Sequence, residues 1–127
     1  MNLDDDDTVD ELPARPRQVI PVADRELLEL AARALGAVHV EDVEGEEWLN
    51  LHFADGSTVN HWNPLVHGDD TFNLSTDTRM QITQRVDEVR IGHRSIPALY
   101  EPVGDDRRAA TRRAVTRAAA EVGKGRQ

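Results

Sequence analysis

The chain contains no cysteine. Disulfides and thiol nucleophiles are therefore excluded, and any zinc site has only His and carboxylates to draw on. No apolar run approaches the roughly 20 residues needed to span a membrane. The opening MNLDDDD lacks the basic-then-apolar layout of a signal peptide. These absences predict a soluble, intracellular protein. No two glycines are adjacent, so there is no Gly-rich phosphate loop, and no Gly-x-Ser-x-Gly elbow occurs. Ser57, Ser75 and Ser95 have no partner that the sequence can place beside them. The pattern points away from an enzyme and carries no cofactor motif.

What is present is a chain of 127 residues, enough for one modest core. Its hydrophobic fraction of 39% is low and its charged fraction of 31% is high, a profile of a folded centre with polar tails. The net charge of −9 is unevenly divided. From Asp105 onward there are seven basic and three acidic residues, a net of +4, against −13 for the remainder. Asp4 to Asp7 with Asp10 and Glu11 form a self-repelling block that buries nothing. Residues 1–22 are therefore predicted to be a disordered acidic tail and Pro-containing linker, 23–124 a single domain and 125–127 a short tail. The overall acidity argues against duplex DNA as a partner, because such binding needs positive potential over the contact face.

Patterning predicts an α+β fold. Asp24 reads as the N-cap of a first helix whose stop is Gly36, with Leu27, Leu28, Ala31, Ala34 and Leu35 on one face. Val38 and Val40 alternate as a half-buried strand. WLNLHF and STVNHW flank Asp55-Gly56, a two-residue hairpin signal that opposes Leu49 to Trp62 and Leu51 to Asn60. Leu49, Leu51, Phe53 and Trp62 then share one apolar stripe. Asn63-Pro64 ends the hairpin, and Asp69 or Asp70 is predicted to cap a second helix carrying Phe72 and Leu74. Residues 80–99 read as one or two strands with Val86, Val89, Ile91 and Ile96 buried. The last helix starts near Asp105 or Asp106, stops at Gly123 and buries Thr111, Ala114, Val115, Ala118 and Val122.

Three strings in this order carry a resemblance: LLELAARALG, then HWNPL with GDD close behind, then AATRRAVTRAAAEVGK. Over residues 24–124 the chain resembles the phage ABA sandwich domain family, small phage-encoded proteins. The resemblance implies an α/β/α-type sandwich: a small, mostly antiparallel sheet with a central hairpin, packed by the N-terminal and C-terminal helices. It also implies a phage accessory protein in the cytoplasm of the infected bacterial host, and it brings no catalytic role. DTFNLSTDTRMQI departs from the stronger helix formers usual in the family, which leaves the length of the second helix open.

Two functional classes remain. The first is a non-enzymatic binding module for a host factor or a small anionic ligand. Its candidate residues are Trp62, Asn63, Asp69 and Asp70, with Arg108, Arg112, Arg113 and Arg117 of the last helix. Guanidinium forks suit phosphate and carboxylate. Adjacent helix residues point about 100° apart, so Arg108 with Arg112 and Arg113 with Arg117 form two flanks. One flank is expected to pair with the protein's own acids and the other to stay open to a partner. The second class is a metal-dependent hydrolase using His61, His67, Asp69 and Asp70, although their spacing matches no recurring ligand motif.

Overall fold

A computed structural model describes residues 20–126. The acidic block at residues 4–11 lies outside them. The described chain runs α1 (Val22–Ala34), β1 (Ala37–Asp42), β2 (Leu49–Phe53), β3 (Thr58–Trp62), α2 (Gly68–Asp77), β4 (Gln81–Gln84), β5 (Glu88–His93), β6 (Ile96–Pro102) and α3 (Arg107–Lys124). The fold is a small α+β sandwich, with three helices and two antiparallel three-stranded sheets of order β1-β2-β3 and β4-β5-β6. Among the described residues, no helix is long and apolar enough to cross a membrane.

The first helix begins earlier than Asp24. Its N-cap is Pro21, whose carbonyl accepts from Arg25 N at 2.9 Å, and Asp24 sits within the first turn. Proline suits this place because its fixed φ is compatible with helix entry and its missing N–H has no helical partner to lose. Ile20 is buried, so the folded unit also starts before residue 23. At the other end Gly36 has φ +96° and supplies the left-handed stop as expected.

The hairpin differs from its sequence signal in an instructive way. Phe53 N donates to Ser57 O at 3.0 Å and only Gly56 is left-handed, so the loop has three residues, Ala54 to Gly56. A two-residue type I′ loop would need positive φ at Asp55 as well. The extra loop residue shifts the register, placing Leu51 opposite Val59 rather than Asn60. A bulge at His61, which has φ +59°, adds one residue to β3 and restores the phase. Leu49 therefore still pairs with Trp62, and both are buried with Leu51. A second irregularity lies in β1, between Ala37 and His39, and it leaves Val38 exposed.

One buried cluster unites all three helices and both sheets. Its axis is α3, which touches α1, α2, β5 and β6. Asp106 caps α3, its carboxylate accepting from Ala109 N at 3.1 Å. The expected stop at Gly123 is a different feature. Gly123 is helical and buried, and a Cβ there would lie 1.8 Å from Leu30 O. It is the point where the backbones of α1 and α3 meet. Thr116, Ala119 and Ala120, on the same helical face as Gly123, are small and buried as well.

The second helix carries little apolar material. Leu74 is buried, but Phe72, expected inside, is 69% exposed. Thr71, Ser75 and Thr78 are buried instead, each hydroxyl donating to a backbone carbonyl: Pro64 O, Phe72 O and Leu74 O respectively. Satisfied hydroxyls can enter a core at little cost. Val89 and Ile91 fill the centre of the second sheet. Val86, also expected inside, is 93% exposed at the β4–β5 turn.

Candidate functional site

The segment NHWNPLVHGDD hands a strand to a helix, and Asn63 organises it. Asn63 N donates to Asp70 Oδ2 at 2.9 Å, its side-chain amide donates to Glu47 O, and its Oδ1 accepts from Leu65 N at 3.0 Å. Its carbonyl accepts from Val66 N and His67 N. Asp70 does not cap α2, and neither does Asp69. The N-cap is His67, without a side-chain cap bond, and both acids lie in the first turn. There they complement the positive end of the helix dipole. Asp70 Oδ2 also lies 3.2 Å from His67 Nδ1. Trp62, Asn63 and Asp70 thus serve the fold's interior or its turns, and Asp69 is exposed.

The four proposed metal ligands do not converge. His61 projects from the bulge onto Trp48, ring centroids 4.1 Å apart, and its backbone N–H donates to Asn50 Oδ1 at 3.1 Å. His67 is occupied with Asp70. Among the described residues, no group of three or more His, Cys, Asp or Glu side chains could hold a metal ion. Two other carboxyls have shifted acidity. Hydrogen bonds from the Ser57 hydroxyl and then its N–H hold Asp55 below its ordinary value, and those from His52 and Asn50 do the same for Glu41. Both are exposed structural contacts of the first sheet.

The arginines of α3 divide as the helical geometry predicts. Arg117 pairs with Glu101, and Arg113 Nη1 stands 3.8 Å from Asp24 Oδ1. The other flank has no acid among the described residues. Arg112 Nε donates to the carbonyl of Leu65 at 3.0 Å, which orients the guanidinium without neutralising it. Arg108 is exposed and has no hydrogen bond or ion pair with the described residues.

This open flank borders a groove of about 400 Å³ between α2, β4 and the start of α3. Phe72 and Ile82, 69% and 40% exposed, form its apolar floor, and Arg107, Arg108 and Arg112 stand along one side. Arg107 also braces the wall. Its Nη1 donates to Gln84 Oε1 at 2.6 Å and its Nη2 to Val86 O at 2.9 Å, while Gln84 Nε2 donates to Thr111 Oγ1 at 3.0 Å. Sequence reasoning missed Phe72, Ile82 and Arg107 as members of one site with Arg108. Helical periodicity assigned Phe72 to the core, and nothing local relates β4 to α3 across 23 residues of chain.

Comparison of the chain with family models, with curated proteins and with solved structures finds no match.

Proposed function

We propose that the protein is a non-enzymatic interaction module that receives an acidic, partly apolar partner segment in the groove beside Arg108 and Arg112. On the resemblance of residues 24–124 to the phage ABA sandwich family, we place it among phage accessory proteins of the infected bacterial cytoplasm, with a host factor as the partner. One observation carries the reading: the two arginine flanks of α3 differ, one neutralised by Asp24 and Glu101, the other left charged beside exposed Phe72 and Ile82. Large exposed apolar side chains rimmed by unpaired charge are the ordinary makeup of a recognition surface. Arginine offers five fixed donors to carboxylates and keeps its charge at any physiological pH.

The test uses a labelled ten-residue peptide alternating Asp or Glu with Leu, and its Asn/Gln counterpart. Fluorescence anisotropy should show the acidic peptide preferred, with affinity falling as salt rises. Arg108→Gln with Arg112→Gln should weaken binding at least tenfold, a loss of about 1.4 kcal/mol. Arg113→Gln with Arg117→Gln should leave binding intact and lower stability by about 1 kcal/mol or less. Equal affinity for both peptides, or equal loss in both double variants, would refute the reading.

A further inference from the structure

On the far side of α2 lies a second cavity, of about 500 Å³, where the ends of α2 and α3 meet the β5–β6 turn. Arg79, His93, Arg94, Ser95 and Arg126 line it, together with Asp77 and Glu121. Arg79 is the unusual member. It has φ +60°, a left-handed conformation that costs an L-residue with a Cβ free energy. Its N–H donates to Thr76 O at 3.1 Å and Met80 N donates to Ser75 O at 3.0 Å. These two bonds make the Schellman ending of α2, with Arg79 at the position that glycine normally takes. The same chain places Gly36 at the equivalent step after α1. Strained residues cluster at ligand sites, although a bulge such as that at His61 also holds one.

A purely structural role does not account for the arginine. The last carbonyls of α2 are already met by Thr78 N, Thr78 Oγ1, Arg79 N and Met80 N, and those of α3 by Gly125 N and Arg126 N. Among the described residues, neither the Arg79 nor the Arg94 side chain has a partner. Arg126 is held to Ala34 O, and Glu121 is paired with Lys124 at 2.9 Å. His93 adds a donor. Ser95 N donates to His93 Nδ1 at 3.0 Å, so in the neutral ring the proton sits on Nε2. We propose that this cavity binds a small oxyanion, with Arg79 and Arg94 as its main ligands and His93 Nε2–H as a further donor. Phosphate, free or as a monoester, is the chemistry that two guanidinium forks fit.

The test titrates the full chain with inorganic phosphate at constant ionic strength, with acetate as control and glycerol phosphate to separate free phosphate from an ester. The Nε resonances of Arg79 and Arg94 should shift saturably with phosphate and not with acetate. Arg79→Gly should weaken binding at least tenfold and at the same time raise the melting temperature by about 2–6 °C, because the left-handed strain is relieved. Arg94→Gln should weaken binding without that gain, and Arg108→Gln should change neither. Undiminished binding in Arg79→Gly, shifts that acetate reproduces, or no saturable shift would overturn the assignment. A destabilised Arg79→Gly would overturn it too, by showing that the arginine serves the fold.

Discussion

Residues 22–62 and 68–102 follow the same plan, a helix running through a left-handed residue into a three-stranded antiparallel meander. The two units spend their residues differently. In the first, α1 buries Leu28, Ala31, Ala32 and Ala34, the sheet buries Leu49, Leu51 and Trp62, and the helix ends on Gly36. In the second, α2 buries one leucine and several hydroxyls, β4 is exposed throughout, Phe72 points outward and the helix ends on Arg79. The first unit follows the rules for stability through its core, with exposed Val38 and left-handed His61 as exceptions outside it. The second departs from them at Phe72, Ile82 and Arg79, and those departures line the groove and the cavity. Local rules are commonly broken where a side chain is needed for something other than folding.

Substitutions in the two units should separate them by size of effect. Trp62→Ala, in the first, is expected to cost about 3–5 kcal/mol in denaturant unfolding, as for other large buried rings. An unchanged midpoint would mean that the bulge at His61 does not deliver the ring to the core. Next comes Gly123→Ala. The added methyl meets Leu30 O with no flexible side chain to yield, so the α1–α3 contact must open, at about 1–3 kcal/mol. Stabilisation, as an ordinary helical Gly→Ala exchange would give, would disprove that close approach. Gly36→Ala has open space around it and pays for backbone conformation alone, about 1 kcal/mol. Set beside the gain expected for Arg79→Gly, it measures one left-handed step in both directions. Phe72→Ala should move stability by less than about 0.5 kcal/mol, since the ring is 69% exposed. A loss of Trp62 size would erase the contrast between the units.

The smallest effect concerns Asp55 in the first hairpin. Its lowered pKa means that the folded state favours the carboxylate. The contribution is present above the ordinary value of 3.8 and fades as pH falls through the lower folded value. Titration of the Asp55 carboxyl carbon by NMR should give a midpoint below 3.8, and Ser57→Ala should return it toward that value.

Much of the fold was legible locally. The α1 face, the Gly36 stop, the alternation in β2, the Asp106 cap and the buried face of α3 are short-range patterns set by helix and strand periodicity, and they lie where expected except that Leu27, Leu35 and Thr111 are only half-buried. The hairpin shows the limit of such patterns. Asp55-Gly56 marked the turn, but the three-residue loop and the bulge at His61 offset each other, so the pairing of Leu49 with Trp62 is the same for either loop length. Of the candidate site, the division of the arginines was legible, because adjacent helical positions diverge by about 100°. Their acids were not, since Asp24 and Glu101 arrive from α1 and β6.

The sequence by itself determined the α+β class, the hairpin around Asp55-Gly56 and the two arginine flanks, because each follows from spacing over a short stretch of chain. Only the tertiary structure decided which flank stays charged, that Phe72 faces a groove, that Gly123 is a contact rather than a stop, and that Arg79 meets Arg94 across a cavity. The physical reason is common to all four. Each is a relation between segments distant in the chain, created when α3 packs at once on α1, α2 and the second sheet.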